Sequence, residues 1–304
     1  MSELCRLKFI MRSGIEETVS GIVRLRFYKD KYSPATLLGG KVLWDGLVKD
    51  VLEVRLIAGG RTLHRGYTEY IVSRKRNGRS EVSFSSPGWS RLLAQNEPVP
   101  GMNYNMTLSA LLQANVTIPH VTCESGTRQV NYIYVKEHST IWDAVTAYSR
   151  KAYGSFPFIM GANTVSVTSQ AGTPRAYGPP HVIEIGSKID RRLMLSKAYM
   201  ADIDGQYSYS AVNAQASADG VIRERYYPLD NQWLGNPSEG PAMKIDLSSR
   251  KYKIHYAKVL GFSGEELFDT LRASSGNAIV TGSLGGFEVV FEKGRAVTTL
   301  YVID

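Results

Sequence analysis

The residues of this chain best suited to chemistry are scattered. His64, His120, His138, His181 and His255 stand alone, none three or four residues from another histidine or inside a His-Glu-x-x-His frame, so no zinc-ligand spacing is present. The closest acidic pairs are Asp202 with Asp204 and Glu265 with Glu266. A glycosidase needs two carboxylates that meet only in space, so that activity stays open as an alternative reading. Trp44, Trp89, Trp142 and Trp233 read as core or edge anchors before they read as walls of a sugar cleft. Gly261-Phe262-Ser263-Gly264-Glu265 comes nearest to a nucleophile elbow, but its second glycine falls one position early. The glycines of 281–288 are not followed by Gly-Lys-Ser/Thr, so they read as a turn and not as a phosphate cradle. Cys5 and Cys123 are the only cysteines and have no ligand or disulfide-framework spacing, which fits a reducing compartment. No catalytic residue, metal ligand or cofactor is expected.

One charged stretch stands out, Ile-Val-Ser-Arg-Lys-Arg-Asn-Gly-Arg-Ser-Glu-Val-Ser-Phe at 71–84. Asn77-Gly78 suits a type I′ hairpin turn, because both central residues tolerate positive φ. With the turn there, Arg76 faces Arg79, Arg74 faces and pairs with Glu81, and Ile71 faces Phe84. Ile71, Val82 and Phe84 then share the inner face. Arg74, Lys75, Arg76 and Arg79 become a protruding basic tip and the candidate interaction residues. A solvated loop, a contact for a protein partner and a nucleic-acid grip all fit such a tip. Nucleic acid fits least, because stacking aromatics and further basic rows are missing.

Around these residues the composition is that of a folded, turn-rich chain. Hydrophobic residues make up 43% and charged residues 21% of 304, against the low-hydrophobicity, high-charge balance of disordered chains. The 28 glycines and 18 tyrosines favour strands and tight turns. Subtracting 28 acidic from 36 basic residues leaves +8, spread along the chain, which favours acidic partners without pointing to a nucleic-acid arm. The N-terminus carries Glu3 and three basic residues within its apolar stretch, so it lacks a signal-peptide core, and no apolar run is long enough for a membrane helix. Cytoplasmic synthesis and no membrane partner are the expectations.

The order of elements predicts a mainly β chain with an α+β middle, two small β-barrel domains flanking a compact α+β domain. Residues 1–98 alternate as short strands split by turns, including Gly59-Gly60. Residues 99–170 predict a helix capped by Thr107 and a second capped by Thr140 with Asp143, carrying Ile141, Val145 and Tyr148 and stopped at Gly154. A closing hairpin follows. The Gly/Pro-rich stretch 170–180 reads as a linker or crossover. Residues 171–304 predict a second barrel with a long polar loop from Pro228 to Pro241 and a hairpin at Lys293-Gly294. One helix, capped by Ser263 and Glu266 and bearing Leu267, Phe268 and Leu271, belongs to the same region.

Two stretches carry a resemblance. Residues 51–113 run strand, turn, Arg-Gly step, long hairpin, Ser/Gly bend, Leu-Leu and an extended link into a short helix. Residues 248–271 make a strand-to-helix step. Both resemble the baseplate hub proteins of contractile phage tails and phage-tail-like bacteriocins, the late-control-protein-D and PBSX-type group. The resemblance implies a structural protein, not an enzyme: a homotrimer joining a sixfold tail tube to a trimeric central spike and initiating the tube. It implies the tail tube and spike proteins as partners, with wedge and tape-measure proteins nearby, in the baseplate of a virion or tail-like particle.

Overall fold

The computed structural model describes residues 5–303, apart from the side chain of Arg76. Glu3, part of the N-terminal reading, lies outside the described residues. In the first third, apolar alternation produces β1 (Cys5–Met11), β2 (Glu16–Val19), β3 (Gly21–Asp30), β4 (Leu37–Leu43), β5 (Val51–Ala58), β6 (Arg61–Tyr67), β7 (Tyr70–Arg76) and β8 (Arg79–Pro87). The middle runs β9 (Gly101–Met106), α1 (Leu108–Gln113), β10 (Thr122–Cys123), β11 (Val130–Val135), α2 (Ile141–Tyr153), β12 (Phe158–Met160) and β13 (Thr164–Ser166). The last third begins with β14 (Pro174–Tyr177), β15 (Val182–Ile189), β16 (Lys197–Met200), β17 (Tyr209–Val212) and α3 (Ala214–Ala218). It ends with β18 (Glu224–Tyr227), α4 (Glu239–Ser249), β19 (Lys253–Leu260), β20 (Thr270–Ser275), β21 (Ala278–Glu292) and β22 (Arg295–Ile303).

The fold is mainly β with an α+β middle, but none of its sheets closes into a barrel. A small sheet is ordered β2-β1-β5-β6. A ten-stranded one follows the path β15-β19-β22-β21-β3-β4-β8-β7, with β20 and β14 joined off it through β21. The seam is β3 against β21, where Phe27 lies opposite Val289 and Leu25 opposite Phe291. At the seam each strand turns apolar side chains inward, Leu25 and Phe27 from β3 and Phe287, Val289 and Phe291 from β21, and pairing the two strands buries them. Strands of the first and last thirds therefore share one core, which holds Leu7, Phe9, Leu25 and Phe84 together with Phe287 and Leu300. A second core belongs to the middle, where Leu108, Leu111, Ile133, Ile141, Val145 and Tyr148 pack under α1 and α2.

Local signals hold in that middle region. Thr107 Oγ1 accepts from Ala110 N at 3.2 Å to cap α1. Thr140 Oγ1 accepts from Asp143 N at 3.1 Å while Asp143 accepts from Thr140 N at 2.9 Å, a complete capping box at the head of α2. Gly154, at φ 68°, ends the helix as expected. The hairpins at Gly59-Gly60 and Lys293-Gly294 also form, each with positive φ at both turn residues.

Three expectations from the last third need correction. The helix expected after Ser263 is absent, and 262–269 is an irregular segment running into β20. The 281–288 glycines are not a turn but lie inside β21, where the strand passes from pairing with β20 to pairing with β22 and β3. At Gly282, φ is 148° and a Cβ would come within 2.6 Å of Val302, so only glycine permits that transfer. The Pro228–Pro241 loop contains a 3-10 turn at Asn231–Trp233 and runs into α4. That helix was hidden because Met243, Ile245 and Leu247 alternate like a strand. The 170–180 linker also carries β14, in parallel register with β20. Among the described residues no helix is long and apolar enough to cross a membrane.

Candidate interaction surface

The basic tip is built as its sequence dictates. Asn77 at φ 51° and Gly78 at φ 76° make the turn, and β7 pairs β8 with Arg76 opposite Arg79, Arg74 opposite Glu81 and Ile71 opposite Phe84. Phe84 and Val82 are buried, Ile71 packs partly against them, and Phe84 meets Phe9 edge-on at 5.5 Å. The inner face thus anchors the hairpin while the tip stays in solvent. Arg74, Lys75 and Arg79 are exposed and form no ion pair among the described residues; the Arg76 side chain lies outside them. Glu81 turns away from Arg74 and pairs with Lys41 at 3.1 Å. Lys41 lies opposite Ser83 in β4, so it is Glu81's diagonal neighbour on the same face, and the cross-strand partner loses to it. An exposed pair of this kind adds at most about 1 kcal/mol, so the redirection matters for charge more than for stability. It leaves the tip positive. β7 is also the last strand of its sheet, and basic side chains along such an edge discourage pairing with another copy while attracting an acidic surface.

A second surface was not read from the sequence. Around the three-stranded sheet β17-β16-β18, Leu193, Ile203, Val212 and Ile222 stand in solvent, Ile222 at 94% and Ile203 at 87% exposure. Beside them Tyr199 and Tyr226 stack with centroids 4.5 Å apart, and Tyr207 meets Tyr226 edge-on at 5.0 Å. Ile203 sits in Asp-Ile-Asp-Gly and Ile222 follows Gly-Val; an apolar residue in such a turn has no strand or helix to carry it inward, a signal that was available. The register, Lys197 beside Val212 and Glu224 and Met200 beside Tyr209 and Tyr227, puts Ile222 and Val212 at one end of the sheet and Ile203 beyond the other. Exposed apolar residues with aromatic neighbours on an outer sheet have the composition of a protein contact.

Several of the scattered chemical groups are held by partners within the fold. Glu265 is fully buried, accepts from the Tyr177 hydroxyl and takes the Ser263 backbone N–H at 3.0 Å. Glu266 is held by Lys29 at 2.5 Å and Arg61 at 3.0 Å. Asp202 closes its own loop by accepting from Asp204 N and Gln206 N. His64 is wholly enclosed between Thr36 and Ser86, at 2.8 and 2.9 Å, and burial pushes its pKa down to about 3. The Ser86 hydroxyl beside it is buried too, so this contact bridges strands without reaching substrate. Trp44 and Trp89 donate to Glu17 and Glu53, whereas Trp142 and Trp233 line a common groove. No group of three or more metal-ligating side chains gathers among the described residues.

Neither a protein-family model nor a curated protein matches the chain. Solved structures do. A tail protein from Neisseria meningitidis MC58 superposes with a TM-score of 0.72 at 14% identity, covering 99% of this chain and 96% of that one. The 43 kDa tail protein of prophage MuSo2 from Shewanella oneidensis gives 0.68 at 11% identity, with 99% and 98% covered. The E. coli c3393 protein, a type VI secretion component described as similar to T4 tail proteins gp27 and gp5, gives 0.58 at 10% identity, with 97% and 75% covered. From end to end, this chain has the fold of phage tail proteins.

Proposed function

We propose that the chain is a structural baseplate hub, a homotrimer that joins a sixfold tail tube to a trimeric central spike and initiates tube assembly. The observation that carries this reading is the fold likeness to phage tail proteins over 99% of the chain. In the proposed assembly, regions 1–98 and 171–304 of each chain both face the tube, so three chains offer six β-rich modules, and 99–170 braces them. The exposed apolar residues at the two ends of the β17-β16-β18 sheet, Ile222 with Val212 at one and Ile203 at the other, pack between subunits, where their burial drives closure of the ring. The basic tip at Arg74, Lys75, Arg76 and Arg79 meets an acidic rim of a neighbouring tail protein. Wedge and tape-measure proteins complete the surroundings in a virion or tail-like particle. The role is one of binding geometry, without catalysis.

Light scattering of the purified chain, alone and with its tube protein, tests the proposal. A trimer mass and threefold rings by negative-stain microscopy are expected, and Ile203→Asp with Ile222→Asp reduces the trimer to monomers. A wild-type chain that stays monomeric at every concentration and forms no ring with tube protein overturns it.

A further inference from the structure

A groove runs between β11, α2 and α4, in two hollows of about 560 and 420 Å3. Gln232 and Trp233 line both and stand between them. One wall is the edge of β11 that faces away from β9, its only sheet partner among the described residues. Side chains occupy that edge: Tyr134 N–H donates to Gln232 Oε1 at 2.8 Å, and Lys151 Nζ donates to Tyr132 O at 3.0 Å. A strand edge satisfied by side chains is one that a backbone can replace.

The three carboxylates that line the groove are already engaged: Asp230 pairs with Lys136, Glu239 with Arg150, and Asp143 closes the capping box of α2. Lys151 lines the smaller hollow, and Lys244 and Arg250 line the larger, yet none of the three forms an ion pair among the described residues. Aromatic rings stand in instead: Lys151 lies 3.2 Å from the Tyr132 ring centroid, Lys244 over Tyr227 and Arg250 over Tyr32. Burial holds all three below their ordinary pKa, Lys151 at about 8. Two residues lining the groove also hold a buried donor without a partner: Gln232, 4% exposed, at Nε2, and Arg150, whose other nitrogens pair with Glu239 and Asp246, at Nε. Buried donors left unpaired cost stability, so the site is short of acceptors as well as of free carboxylates.

We propose that this groove is the docking site for an extended acidic peptide segment of a partner protein, laid along β11 with its carboxylates toward Lys151, Lys244 and Arg250. A single small anion does not satisfy it, because the cations line separate hollows either side of Gln232. The six residues of β11 span roughly 20 Å, the length of a strand-like ligand. This inference rests on the groove alone and stands apart from the hub reading.

The test is fluorescence anisotropy of the full-length protein with a fluorescein-labelled octapeptide of alternating valine and glutamate. Saturable binding is expected, and the lysine-for-glutamate version of the peptide does not bind. Removing Lys151 and Lys244 together by substitution with Met weakens binding by about tenfold or more, the scale of lost charge-assisted hydrogen bonds. Gln232→Glu places a carboxylate inside the groove, so it weakens the peptide and raises the melting temperature, a gain that a misfolded variant does not show. The proposal is overturned if the peptide fails to bind or binds all variants equally. It is equally overturned if free glutamate competes at the same concentration as the peptide, the mark of a simple anion site, or if oligothymidine binds in the peptide's place.

Discussion

Two segments of this protein carry the same helix-start pattern and meet opposite fates. Thr140 with Asp143 opens α2, and both reciprocal bonds of the capping box form. Ser263 with Glu266 opens nothing, although Glu is the residue the box prefers at that position. The difference lies in what the carboxylates can reach. Asp143 is at the surface and its nearest donors are its own helix end. Glu265, Glu266 and Asp269 sit against donors from distant strands: Tyr177, Lys29, Arg61 and Arg175, the last at 2.8 Å from Asp269. A cap is worth about 1 kcal/mol, whereas a charge left unpaired in a buried place costs about 3 kcal/mol or more, so the distant partners win. Gly261 and Gly264, at φ 87° and 81°, hold the segment in the irregular path those contacts require. A local motif decides local structure only where no buried charge competes for its side chains.

The comparison breaks first at Lys29, which is 2% exposed and also donates to Gly161 O at 2.8 Å. Lys29→Met leaves Glu266 with Arg61 alone and is expected to cost about 3 kcal/mol in chemical denaturation. A loss under about 1 kcal/mol would mean that the distant pair does not hold the 262–269 segment.

Acid probes another long-range contact, the Thr36–His64–Ser86 bridge. The folded pKa of His64, about 3, lies below its ordinary 6.5, so between those values the unfolded chain binds a proton that the folded one refuses. Stability conferred by the neutral ring is therefore complete above 6.5 and falls with pH below it, by about 1.4 kcal/mol per pH unit from this residue. Denaturation midpoints measured from pH 6.5 to 5 should show that slope, and His64→Gln should flatten it.

The local side of the comparison is smaller. Thr140→Ala is expected to cost about 1 kcal/mol and Ser263→Ala markedly less, since only the first caps a helix. Equal losses at the two sites would erase the distinction. Smallest of all is the basic tip: Arg74→Glu with Arg79→Glu should move stability by no more than about 0.5 kcal/mol, because neither side chain is paired or buried. The same double variant should lower association with an acidic partner in low salt, read by light scattering or interferometry.

The legible parts of the fold share one property. Turns at Asn77-Gly78, Gly59-Gly60 and Lys293-Gly294, the caps of α1 and α2, and the register that sets Ile71 against Phe84 all depend on residues within one hairpin or helix, so their types and spacing suffice. The resemblance to phage tail hubs rests on the order of such elements; the strands, hairpin and short helix of its 51–113 stretch form, whereas the strand-to-helix step of 248–271 lacks its helix, and the fold likeness over 99% of the chain is to a tail protein. Tertiary structure alone decided that β3 pairs β21, that β21 runs straight through its glycines, that Glu81 prefers Lys41, and that Lys151, Lys244 and Arg250 gather around Gln232. Each of these depends on partners far away in sequence whose contact free energy outweighs local preference, and that energy exists only once the chain has brought them together.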